Sequence, residues 1–154
     1  MTTTSTTTTV LAEGEADAFV ADWMAAWNSH DVERILEHYA EDVEYWSPFI
    51  AALAEPGGPG ADGRRPQGGL GPGEECTPGR LVGKDRVRAY FAAALEKYSE
   101  LHFEPPVHVA AGAGSVSFVY TSVNQLTAVE TLVFAPGSRV VARAYCHYRA
   151  PSGS

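Results

Sequence analysis

Glu130, Arg143, Tyr145 and His147 are the residues of this chain whose types and spacing offer chemistry. They lie in two extended stretches, Leu126 to Phe134 and Arg139 to Arg149, joined by Ala135-Pro136-Gly137-Ser138. If those four residues form the hairpin loop, Phe134 faces Arg139 and Glu130 falls opposite Arg143. Alternation then groups Glu130, Leu132 and Phe134 with Val141, Arg143, Tyr145 and His147. The other face carries Val129, Thr131, Val133, Val140, Ala142, Ala144, Cys146 and Tyr148. A guanidinium beside a carboxylate favours its charged form. Glu130 is therefore expected as a base or electrostatic anchor oriented by Arg143, leaving Tyr145 and His147 to donate protons or bind substrate. The alternative is a structural ion pair, because a half-buried pair can satisfy itself without doing chemistry.

The elements that must position these residues are visible upstream. Phe19, Trp23 and Trp27 recur every four residues, with Val20 and Met24 beside them, which marks one helical face from about Glu13 to Trp27. Asn28-Ser29-His30 breaks that helix, and Asp31 or Ser29 can cap a second one with Val32, Ile35, Leu36 and Tyr39 on its apolar side. Val43 to Ile50 reads as a strand, with Tyr45, Ser47 and Phe49 on one face. Gly83-Lys84-Asp85 opens a third helix whose apolar face carries Val87, Tyr90, Phe91, Ala94, Leu95 and Tyr98. Four strands follow, at about His102 to Val109, Ser115 to Val123, Leu126 to Phe134 and Arg139 to Arg149. The fold class is α+β, with helices gathered on one face of a mainly antiparallel sheet. Both faces of the last hairpin are largely apolar, so both are expected to be covered: one by helices, the other by a second copy of the chain in a homodimer.

Two segments fall outside this pattern. Residues 1–12 read as a disordered tail rich in Thr and Ser, with neither the basic nor the apolar region of a signal peptide. Residues 54–80 are dominated by glycine and proline, as in Pro56-Gly57-Gly58-Pro59-Gly60, and read as a tolerated disordered insertion or as a lid. The chain of 154 residues is otherwise one domain, spanning 13–150. Its net charge of −8 argues against binding nucleic acid or an anionic membrane. Cys76 and Cys146 lack metal-ligand or disulfide-framework spacing, and a cytoplasmic setting fits. His30 and His38 near helix ends are expected to be solvated, and His102 and His108 lack converging partners for a metal.

The element order, with Trp27-Asn28-Ser29-His30-Asp31, Tyr39-Ala40-Glu41-Asp42-Val43, Ser47-Pro48, Gly83-Lys84 and Ala144-Tyr145-Cys146-His147-Tyr148, resembles the nuclear transport factor 2-like superfamily and its SnoaL-like, polyketide cyclase-like branch. The resemblance spans about residues 13–149 without the insertion. It implies a cone-shaped sheet wrapped around a pocket that three helices close. It implies no single activity, because this fold hosts cyclases, isomerases, dehydratases, epoxide hydrolases and binding modules. Laid over the superfamily's ketosteroid isomerases by Asp31 and Pro48, the position of the catalytic base falls on Ser47. The oxyanion-hole tyrosine falls on Trp23, the second carboxylate on Glu130 and a supporting tyrosine on Tyr39, so that mechanism lacks two of its three groups. Epoxide hydrolases of the superfamily use two carboxylates bridged by an arginine, of which only one carboxylate and the arginine are matched.

The expected function is cofactor-independent, metal-free acid-base chemistry of cyclase, isomerase or dehydratase type. The expected substrate is a small apolar or aromatic, polyketide-like molecule. Glu130, Arg143, His147 and Tyr145 are the candidate catalytic residues. Trp23, Trp27, Tyr39, Tyr45, Ser47, Phe49, Tyr90, Phe91 and Leu132 are the candidate pocket lining. The alternative is a non-catalytic small-molecule-binding or dimerisation module of the same fold.

Overall fold

The computed structural model describes residues 10–50 and 79–151. Helix α1 spans Glu13–Asn28 and buries Ala16, Val20, Trp23, Met24, Ala26 and Trp27. The Glu15 carboxylate accepts from the Ala12 N–H at 3.0 Å and so satisfies a donor at its start. Helix α2, Val32–Leu36, is a single turn capped by Asp31, whose Oδ1 accepts from the N–H groups of Glu33 and Arg34. Strand β1 is Tyr39–Trp46. It begins and ends four residues earlier than the sequence pattern implies, so Tyr39 belongs to the strand and Ser47 and Phe49 do not. The reason is Ser47-Pro48: the Ser47 hydroxyl accepts from the Phe49 N–H at 3.2 Å, and residues 48–50 enter a helical turn with proline at its first position.

Strand β2, Arg80–Val82, pairs antiparallel with β1, and Gly83, at φ 101°, turns the chain into helix α3, Lys84–Lys97. Strands β3 (His108–Gly112), β4 (Ser115–Thr121), β5 (Thr127–Phe134) and β6 (Val141–Arg149) complete one six-stranded sheet of order β2-β1-β6-β5-β4-β3. Each neighbouring pair is antiparallel except β1 with β6, which makes the sheet mixed. Residues 102–106, expected to open a strand, run irregularly between α3 and β3.

The inner sheet face and the helices share one core. Val116, Phe118 and Tyr120 of β4, Ala128, Glu130, Leu132 and Phe134 of β5, and Val141, Ala144 and Cys146 of β6 are all buried. Trp23 of α1 packs against Phe118 and Tyr120 with ring centroids at 5.0 and 5.7 Å. Phe91 of α3 packs against Tyr39 and Tyr45 of β1 at 5.5 and 5.2 Å. Each such ring contributes roughly 2–3 kcal/mol by leaving water. The core begins before α1: Leu11 is buried, its N–H donates to Gly112, and Val10 bridges Ala113, so residues 10–12 are tied to β3 rather than belonging to a tail. Residues 1–9 of that tail, and the insertion up to residue 78, lie outside the described residues. Gly79 and Arg80, expected inside the insertion, lead into and open β2. No helix of the described residues is long and apolar enough to cross a membrane.

Candidate functional site

The register of the last hairpin differs from the expectation in two steps. The loop is longer, because the Ala135 N–H donates to Val140 and Phe134 pairs with Val141 instead of Arg139. That slip of two residues preserves the faces. A β-bulge at Ala142 then adds one residue to β6, and every side chain beyond it changes face. Glu130 consequently pairs with Cys146, while Arg143 lies opposite Val133 and Tyr145 opposite Thr131.

The expected Glu130–Arg143 pair is therefore not formed. Arg143 and His147 are exposed on the outer face of the sheet, where the His147 imidazole bonds the Val129 carbonyl at 3.2 Å. Tyr145 lies on the same outer face and stacks on Trp46. Three of the four candidate catalytic residues thus stand on the opposite side of the sheet from Glu130. The signal against them is in β6 itself. Arg143, His147 and Arg149 share one alternation and the small or apolar Ala144, Cys146 and Tyr148 the other, which marks the first set as the face turned away from the core.

Glu130 is buried in an aromatic cavity, with 2 % of its surface exposed. Its Oε1 accepts a short hydrogen bond, 2.5 Å, from the Tyr120 hydroxyl, one strand over and diagonal to it. Its Oε2 is buried and finds no hydrogen-bond partner among the described residues. Burial disfavours the charged carboxylate and pushes the Glu130 pKa up to about 7. The Tyr120 hydroxyl, and more weakly the Cys146 thiol, pull it back down. In the geometry observed, the thiol makes its own bond to the Tyr45 hydroxyl at 3.2 Å. Burial also raises the pKa values of Tyr39, Tyr45, Tyr120, Tyr148 and Cys146, so these groups stay protonated and neutral around the carboxyl. Cys146 is accordingly no nucleophile.

The cavity lies between α1, α3 and the inner sheet face. Trp23 and Trp27 form one wall, Tyr45, Phe49 and Tyr90 another, and Leu101 and Phe103 close a third side. Tyr120, Tyr148 and Glu130 form its floor. It is narrow, with a cavity volume of about 50 Å³. Of the expected lining residues, Tyr39, Phe91 and Leu132 are core beneath the cavity instead. Tyr39 accepts the Trp23 indole N–H at 3.0 Å, and Ser47 is buried behind the lining, with its hydroxyl 3.5 Å from the Tyr90 hydroxyl. Tyr120, Tyr148, Leu101 and Phe103 were not expected in the lining. Tyr120 follows from alternation with Val116 and Phe118, whereas residues 101–103 carry no periodic signal.

The helix break beside Trp27 holds that irregular wall. The Asn28 side chain donates to the Phe103 carbonyl at 3.0 Å and accepts from its N–H at 2.7 Å. The His30 imidazole bonds the Leu101 carbonyl at 2.7 Å, with the backbone at φ 60° turning it there. His38, also expected in solvent, is buried between the Ile35 carbonyl and the Asp22 carboxylate, 2.7 Å away.

A cone-like sheet over three helices, with one lone carboxyl in an aromatic cavity, defines a class of small pocket proteins. The chain belongs to the SnoaL-like domain family, whose profile matches residues 20–154. It is similar to a SnoaL-like protein of unknown function from Burkholderia thailandensis, at 34 % identity and TM-score 0.72, over 91 % of this chain and 99 % of that one. An NTF2-like protein from Anabaena variabilis shares the fold at 12 % identity and TM-score 0.60, over 98 % of this chain and 96 % of that one. So does SalBIII, an epoxide hydrolase/cyclase-like enzyme of pyran ring formation in salinomycin, at 18 % identity and TM-score 0.58, over 89 % of this chain and 92 % of that one. Among curated proteins, none matches the chain.

Proposed function

We propose that the chain is a cofactor-independent enzyme of cyclase, isomerase or dehydratase type, in which Glu130 takes a proton from a small, largely apolar molecule held in the aromatic cavity. The observation that carries this reading is Glu130 itself: its free Oε2 has no partner among the described residues, and its pKa is about 7. A structural carboxylate in a core is paired, because an uncompensated one is costly to bury. A group titrating near neutrality is instead matched to taking and returning protons. The cyclase-like description of SalBIII agrees in kind with such chemistry, and natural-product synthesis is a setting that suits it. The test is proton exchange in heavy water, run on a panel of neutral ketones and followed by mass spectrometry. The wild-type protein is expected to load deuterium at the carbon beside the carbonyl, and Glu130→Gln to lose the activity while keeping its fold. Undiminished exchange in the variant would remove Glu130 from the mechanism.

The narrow interior favours a second reading, a non-catalytic binding module of the same fold. It predicts tight retention of a ligand with no Glu130-dependent exchange. We also propose that the outer sheet face, where Val129, Thr131, Val133 and Tyr145 are only half-buried, is covered in a homodimer. Sedimentation velocity at micromolar concentration should show the dimer, and a monomer would refute it.

A further inference from the structure

The cavity wall contains a second buried polar atom without a partner among the described residues. The indole Nε1 of Trp27 lies in a residue only 6 % exposed and finds no acceptor there. Trp23, one turn earlier, spends its own N–H on the Tyr39 hydroxyl, so the two tryptophans of the wall differ in this respect. A buried N–H left unpaired is costly, and such atoms in native proteins are explained by a water, an ion or a ligand. Trp27 offers a donor only, and ionised Glu130 Oε2 an acceptor only. The residues that carry them, Trp27 and Glu130, line one cavity. No Lys, Arg or His side chain lines it among the described residues, so nothing there compensates a bound anion.

We propose that Trp27 is the substrate-anchoring donor of this site, and that the cavity selects a neutral, flat, ring-bearing ketone or ester whose carbonyl oxygen accepts the Trp27 N–H and whose adjacent C–H faces Glu130. The inference rests on the reading of Glu130 as the proton acceptor. In the step it describes, Glu130 Oε2 takes the proton and the electron pair of the broken C–H bond moves toward the carbonyl. The resulting enolate oxygen strengthens its bond to the Trp27 N–H, and return of the proton to carbon or oxygen restores the carboxylate. A carboxylate substrate is rejected, since it brings like charge to Glu130 without a cation to offset it. Aromatic walls on two sides favour a ring that can lie flat between them. Both polar atoms are shut off from solvent in this conformation, so the ligand must part the walls to reach them.

The experiment compares indanone, indane and indane carboxylate by proton–nitrogen correlation spectroscopy, reading the Trp27 indole N–H after sequential assignment. Indanone is expected to move that resonance downfield. Indane should bind about tenfold more weakly without a downfield shift, in line with one lost hydrogen bond, and the carboxylate should not bind. Trp27→Phe should abolish the preference for indanone over indane. The wild-type spectrum reads the contact even if that variant fails to fold. Equal binding of indanone and indane, binding of the carboxylate, or no binding of indanone would overturn the inference. Ketone binding through Trp27 without deuterium exchange would sink the enzyme reading and leave the anchoring intact. Glu130-dependent exchange unaffected by Trp27→Phe would do the reverse.

Discussion

Burial and a single hydroxyl oppose each other at Glu130. Desolvation lifts its pKa to about 7, and the Tyr120 O–H, by donating to the charged form, keeps it from rising further. Removing the hydroxyl leaves burial unopposed on that oxygen. Tyr120→Phe should therefore shift the Glu130 titration above pH 7, read from the carboxyl stretch in isotope-edited infrared spectra. The proton-exchange rate of the wild type should rise with pH through about 7, because the ionised form is the base, and in Tyr120→Phe the rise should move to higher pH. An unmoved midpoint would show that Tyr120 does not govern the titration. At this scale the sequence was half legible. A lone acid in the apolar alternation of Ala128, Glu130, Leu132 and Phe134 stands out without any structure. Its partner did not, because cross-strand partners depend on register and register on one residue at Ala142. An alanine in a bulge looks like any other alanine.

Between elements, the helix break Asn28-Ser29-His30-Asp31 was legible as a break and as a cap for α2, but not as a clamp. Asp31 obeys local capping rules that need only the next three residues. Asn28 and His30 act on backbone more than 70 residues away, and no local rule reaches so far. The Asn28 amide meets both the N–H and the C=O of Phe103, as a neighbouring strand would. Asn28→Ala leaves that donor and acceptor in a part-buried wall with no replacement, which should cost about 1–3 kcal/mol. The expected result is a lower unfolding midpoint in urea, together with faster amide hydrogen exchange confined to residues 101–103 and their neighbours. A uniform change across the sheet would argue that Asn28 supports the fold at large and not this wall.

The whole fold was readable because hydrophobic period and turn residues agree along most of the chain: the tryptophan stripe of α1, Gly83 before α3, the alternation in β4 and β5. Glu130 is where that agreement breaks, a charged type in a core position, and the break has a consequence for the entire molecule. An unfolded glutamate titrates near 4.3, whereas the folded one titrates at about 7. Between those values the folded state holds a proton that the unfolded state has released. Stability must then fall as pH rises through this window and level off above it, opposite in sign to the usual salt-bridged carboxylate. The full loss is roughly 3 kcal/mol, a large share of a small domain's stability. Glu130→Gln keeps the shape and removes the titration. Its buried amide carries a cost of its own, but that cost does not vary with pH. The quantity to measure is therefore the difference in urea unfolding free energy between variant and wild type, at pH 4.5 and at pH 8. It should move in favour of the variant by roughly 3 kcal/mol across that interval. A difference constant with pH would mean that Glu130 titrates alike in both states, and the case for a proton-transferring carboxyl in this cavity would go with it.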